Sequence, residues 1–176
     1  MEGVVLVTGV MAAGKSTVAQ ALAERLPRAA HVRGDVFRRM IVSGREDYEP
    51  GSDGEGLAQL RLRCYGLSAD TADAYARAGF TAVVQDVVLG GDLGRYVDLI
   101  RTRPLHVVVL APRPEVVAAR EAGRPKTGYG AWTVEDLDRS LRTETPRIGL
   151  WLDTSDLTVD ETVEAILAGR ERARIG

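Results

Sequence analysis

Gly9-Val10-Met11-Ala12-Ala13-Gly14-Lys15-Ser16-Thr17 decides the reading of this chain. The stretch matches the phosphate-binding pattern G-x-x-x-x-G-K-[ST] at every fixed position. A loop bracketed by Gly9 and Gly14 turns tightly enough for the N–H groups around Ala12 and Ala13 to point inward and cradle polyphosphate oxygens. Lys15 adds a positive charge at the β/γ position, and the Ser16 hydroxyl is a ligand for Mg²⁺. A helix starting at Lys15, Ser16 and Thr17 turns its free N–H groups and positive dipole end toward the same anion.

The flanks supply the setting that the motif needs. Gly3-Val4-Val5-Leu6-Val7-Thr8 is a short apolar run of the kind found in parallel strands buried on both faces. Val18, Ala19, Leu22, Ala23 and Leu26 then recur at helical spacing until Pro27. Strand, glycine loop and helix together point to a nucleoside triphosphate, ATP, held with Mg²⁺.

Farther along, strands and helices alternate. Strands are expected at Ala29-Ala30-His31-Val32-Arg33, at Phe80 through Asp86, at Leu105 through Leu110 and at Ile148 through Asp153. A helix is expected from Val36 to Ile41, and a long one with apolar positions from Leu57 to Ala78, which Gly66 kinks or splits. Pro112-Arg113-Pro114 opens another, and Thr133-x-x-Asp136 and Thr158-x-x-Glu161 have the form of capping boxes. The tail from Arg170 to Arg174 reads as a solvated helix end. The fold class is α/β, a doubly wound, five-stranded parallel sheet with helices on both faces, in one domain over residues 1–176. Between the elements, residues 43–56 form a polar flap without periodicity and residues 120–131 a basic loop.

Composition removes competing classes. A formal net charge of −2 offers no extended basic face for nucleic acid. The single cysteine, Cys64, rules out an intramolecular disulfide and fits a reducing compartment. No apolar run approaches a membrane span and no signal-peptide pattern opens the sequence, so a soluble cytoplasmic enzyme is expected. All basic residues but Lys15 and Lys126 are arginines, a bias that warns against reading each one as a phosphate clamp. Asparagine is absent, which excludes the Asn-Lys-x-Asp guanine-reading motif of Ras-type switches. His31 and His106 lie on strands without partners at metal-ligand spacing and read as structural. The sequence carries no signal for oligomeric state.

The carboxyl ends of the strands collect the polar residues: the phosphate loop, Asp35, Asp86 and the arginine loop. Asp86, ending an apolar strand, is a metal ligand beside Ser16 or, leaning the other way, an acceptor contact. This order of elements resembles the P-loop small-molecule kinases of the nucleoside-monophosphate-kinase-like group, which include shikimate kinase, gluconate kinase and chloramphenicol phosphotransferase. Gln85-Asp86-Val87-Val88-Leu89-Gly90-Gly91 is similar to the Asp-Asp-Val-Phe-Leu-Gly-Gly segment of chloramphenicol phosphotransferases. Gly34-Asp35 stands where that family places its base-bearing aspartate.

The resemblance implies Asp35 as the base for an acceptor hydroxyl, although an aspartate there also serves to cap a helix. It implies a closing lid in which Arg120 neighbours the adenine or phosphates and Arg124 clamps the transition state, with Lys126 close by. Arg38 and Arg39 would hold an anionic part of the acceptor. Monophosphate kinases carry an Asp-Gly-Phe-Pro-Arg-like segment where this chain has Gln85-Asp86-Val87-Val88-Leu89, which favours an antibiotic, sugar or other hydroxylated metabolite. The alternatives are an ATPase switch with a protein partner, or a kinase of a nucleotide, nucleotide sugar or nucleic-acid end.

Overall fold

A computed structural model describes residues 1–48, 54–123 and 132–176, save the side chains of Arg63 and Cys64. The apolar runs become the centre of the sheet. Every residue of β1 (Val4–Gly9), β3 (Thr81–Gln85) and β4 (Leu105–Leu110) is buried. Together with β2 (Ala29–Arg33) and β5 (Leu150–Leu152) they give the strand order β2-β3-β1-β4-β5, all parallel. Runs of Val and Leu without alternation are what a strand needs when helices cover both faces.

The connections explain how both faces are covered. From β1 the chain crosses over β3 to reach β2 through α1 (Lys15–Arg25), then returns to β3 through α4 (Ser68–Arg77). Right-handed crossovers in opposite directions put their helices on opposite faces. In agreement, α1 and α4 both pack on β3, and α1 pairs with α8 (Val159–Ala168) on its own side. The remaining helices are α2 (Gly34–Met40), α3 (Glu55–Leu60), α5 (Asp92–Leu99), α6 (Pro114–Ala122), α7 (Val134–Arg139) and α9 (Arg170–Ala173). Both expected capping boxes form, Thr133 with Asp136 and Thr158 with Glu161, each side chain bonding the other residue's backbone N–H.

Three expectations need correction. The sheet has a sixth strand, β6 (Arg174–Ile175), which pairs antiparallel with Leu105 and His106 of β4. β5 reaches only Val108 to Leu110 of β4, so the tail fills the half of that edge which β5 leaves open. The tail is a helix end with Arg170, Glu171 and Arg172 exposed, as expected, although Ala173 is fully buried and Arg174 continues into the strand. The second helix begins at Gly34, so Asp35 lies inside its first turn and is not its cap. The long helix does divide near Gly66, but as a π-helical segment, Arg61–Leu67, between α3 and α4.

A buried carboxylate fixes the turn from α5 into β4. Asp73 of α4 has no exposed surface and accepts the N–H groups of Arg101 (3.1 Å) and Thr102 (2.9 Å) and the Arg101 Nε (3.3 Å). Burial opposes its charge, but the Thr102 and Arg101 bonds outweigh that and hold it below its ordinary pKa. Asp73→Asn, which presents an NH₂ to those donors, is expected to cost about 1–3 kcal/mol in urea unfolding.

His31 and His106 do sit on strands, and burial, aided by Arg33 and by Arg174 respectively, lowers both pKa values from 6.5. Neutral imidazole is thus favoured by folding. The stability it contributes is complete above about pH 6.5 and is lost as pH falls toward the depressed values. Thermal melts should show Tm falling between about pH 7 and 5, with a shallower fall in His106→Gln.

Candidate active site

The loop between β1 and α1 has the conformation that its glycines permit. Gly9 (φ 147°) and Gly14 (φ 93°) adopt positive φ, and so does Ala12 (φ 60°), at the strained position of the turn. A Cβ on Gly9 would stand 2.4 Å from the Leu110 carbonyl oxygen, so the neighbouring strand also demands glycine there. Lys15 is buried and lies across the loop, its Nζ donating to the Val10 carbonyl at 2.8 Å. Ser16 and Thr17 open α1 with exposed side chains, while Ala13 is buried under the loop.

Asp86 follows β3, the strand hydrogen-bonded to β1, and its N–H meets the Val7 carbonyl at 3.4 Å. Its Oδ1 accepts the Val87 N–H at 2.7 Å. On the other side the carboxylate rests against Gly34: a Cβ there would lie 1.9 Å from Oδ2. Only glycine leaves that space. Asp86 is thereby packed against Gly34, the residue before Asp35.

Thr8 locks the same region. Its buried hydroxyl donates to the Val88 carbonyl and accepts the Val88 N–H, both at 2.9 Å. The last residue before the phosphate loop is thus tied to the segment that carries Asp86. Sequence reading passed over Thr8, although a hydroxyl ending an apolar strand is a usable signal. Farther on, Gly90 (φ 57°) donates its N–H to Thr145 Oγ1 at 2.7 Å, anchoring the end of the Gln85-to-Gly91 segment.

Arginines on the acceptor side are engaged within the protein. Arg39 contacts Asp35 at 2.8 Å and Arg33 contacts it at 3.4 Å. Arg38 forks onto Asp47, its Nε 2.8 Å from Oδ1. Asp92, unmarked by sequence reading, collects Arg95 (3.1 Å), Arg61 (3.7 Å) and the Tyr65 hydroxyl (3.4 Å). These pairs are partly solvated and each is worth about 0–1 kcal/mol.

A cleft of about 190 Å³ opens beyond the phosphate loop, lined by Gly14, Thr17, Arg120, Thr154, Leu157 and Val159 among others. Arg120 reaches across it to the Thr154 carbonyl at 3.1 Å. The helix that carries Arg120 is fixed at its other end by Arg113, which forks onto Asp156 with two bonds of 2.9 Å. Arg124 and Lys126 lie outside the described residues.

Comparison with known proteins gives the family and the fold. A family model described as AAA domain matches residues 4–146, and the chain belongs to that family. Among solved structures it resembles a sugar kinase from Janibacter sp. HTCC2649, at 21% identity and TM-score 0.71 over 98% of this chain and 96% of that one. A gluconokinase from Sinorhizobium meliloti 1021 matches at 22% identity and TM-score 0.65, over 97% and 92% of the two chains. An APS kinase from Mycobacterium tuberculosis, in complex with AMPPNP and APS, matches at 19% identity and TM-score 0.69, over 97% and 98%. The shared property is the P-loop kinase fold. No curated protein matches the sequence. Among the described residues, no helix is long and apolar enough to cross a membrane.

Thr8→Val strips both partners from Val88 in a buried place. It is expected to lower unfolding stability by about 2–4 kcal/mol, while Thr8→Ser keeps most of it, as chemical denaturation would measure.

Proposed function

We propose that the protein is an ATP- and Mg²⁺-dependent phosphotransferase that moves the γ-phosphoryl group to a hydroxyl of a small molecule. The contact of Asp86 with Gly34 carries this reading. It brings a carboxylate on the phosphate-loop side and a second one, Asp35, on the acceptor side to neighbouring positions at one sheet edge. A switch that only hydrolyses nucleotide has no use for the second.

In this reading the loop N–H groups from Gly9 to Gly14 hold the phosphates, and Lys15 leaves the Val10 carbonyl for a β/γ-phosphate oxygen. The donor set fits Mg²⁺. Among the described residues no group of three or more His, Cys, Asp or Glu could hold a metal. A cation here would take Ser16 Oγ and Asp86, directly or through water, with phosphate oxygens and water completing its shell, which is the habit of Mg²⁺. Bound there, it neutralises phosphate charge.

Asp35 orients the acceptor hydroxyl and takes its proton as the oxygen attacks the γ-phosphorus and ADP departs in line. Arg39 and Arg33 hold that carboxylate in place until the acceptor arrives. Arg120 and Thr154 border the place for the adenine, and Arg124 is the clamp on the transferring group. Arg38 is better described as holding the flap through Asp47, and Arg39 is the nearer of the two to an anionic acceptor group.

An ADP-release assay against a panel of sugars, hydroxylated metabolites and hydroxyl-bearing antibiotics tests the reading. Release that one compound class accelerates is expected, and release that no compound affects would sink it in favour of a switch. With an active acceptor, Asp35→Asn should reduce turnover about 10²–10⁴-fold and leave the affinity for a non-hydrolysable ATP analogue unchanged.

A further inference from the structure

Tyr48 and Trp132 meet ring to ring, their centroids 6.1 Å apart and their planes inclined by 34°. They come from opposite flanks of the site. Tyr48 follows α2, the helix after β2, whereas Trp132 lies between α6, the helix after β4, and the Thr133 cap of α7. In the sheet, the strands between β2 and β4 are β3 and β1. That separation is three strand spacings, roughly 14 Å. The carboxyl ends of those two inner strands bear Asp86 and the phosphate loop. The ring contact therefore joins segments that follow strands on either side of those two.

Both rings are held from behind. Arg38 forks onto Asp47, the Glu46 N–H donates to Gln59 Oε1 at 2.9 Å, and Gln59 Nε2 donates to the Gly44 carbonyl at 2.8 Å. Gly56 lies so close beneath that a Cβ would be 2.6 Å from the Asp47 carbonyl oxygen and 3.2 Å from Tyr48 Cα. Trp132 packs on the core, and the next residue is fixed by the Thr133–Asp136 capping box. Of the flap expected at residues 43–56, residues 49–53 lie outside the described residues, and residues 44–47 are strapped to α2 and α3.

We infer that Tyr48 and Trp132 form an aromatic roof over the transfer site which discriminates the acceptor from water. The inference rests on the phosphotransferase reading. With no acceptor present, a water oxygen could bond to the γ-phosphorus. The bond from that phosphorus to the bridging oxygen would break, its electron pair would leave on ADP, and the water would give up a proton, yielding inorganic phosphate. An apolar roof keeps water from that position. The acceptor that replaces it needs a carbon face to lie against the rings, as a pyranose or an aryl group has, in addition to the hydroxyl that reacts.

The test needs no identified acceptor. Phosphate release from ATP and Mg²⁺ alone is measured for the full chain and for Tyr48→Ala, Trp132→Ala and Tyr48→Phe, together with binding of a non-hydrolysable ATP analogue and thermal melting. Each alanine variant should release phosphate about tenfold faster with analogue affinity unchanged, and the phenylalanine, which restores the ring, should return to the parent rate. Adding Lys15→Ala should abolish the release, which locates it at the phosphate loop. Parent-level release from a folded Tyr48→Ala chain that binds the analogue normally overturns the roof. Should the tryptophan variant fail to fold, the pair of Tyr48 variants decides alone. A chain whose analogue affinity ignores Lys15→Ala overturns the phosphotransferase reading instead.

Discussion

Asp86 touches the α-carbon of Gly34, and much of the site depends on that contact. It requires a residue without a side chain at the start of α2, which brings the helix close to the end of β3. It fixes one carboxylate beside the phosphate loop and sets the next residue, Asp35, on the far side. The Thr8–Val88 pair of hydrogen bonds supports it from beneath by tying β1 to the Asp86 segment. Two halves of a site, contributed by three strand ends, are thereby made into one rigid edge.

Local chemistry was readable in the sequence wherever a residue type has one dominant use. The phosphate loop, the unbroken apolar strands and both capping boxes belong to this kind. So does the division of the long helix near Gly66, although the spacing there could not reveal that the turns widen into a π-helical segment. Features that depend on a distant partner were not readable. Only the folded chain shows Arg38 on Asp47, whereas Arg39 and Asp35 form an i,i+4 pair that the helix spacing itself permits. Arg174 and Ile175 became a strand because β5 is too short to cover β4, a fact about the sheet's edge that their own sequence does not record.

The arginine-rich composition has a consistent effect on the acceptor side. Asp35, Asp47 and Asp92 each carry one or more guanidinium partners, so the surface is ordered by many weak, exchangeable pairs and not by a strong basic field. Such a surface can rearrange its pairs without exposing an uncompensated charge. The slight overall negative charge follows the same pattern.

Helix α6 is fastened twice to the connection between β5 and α8. Arg113 grips Asp156 at one end, and Arg120 reaches the Thr154 carbonyl near the other. Its seven-residue span between those points is two helical turns, stiff enough to behave as a lever with one bearing, Arg120 on Thr154, on the wall of the cleft beside the phosphate loop. Any tilt of the lever changes the width of that cleft, and any ligand that sets the width also sets the tilt. The width of that cleft and the tilt of α6 are, in mechanical terms, a single coordinate.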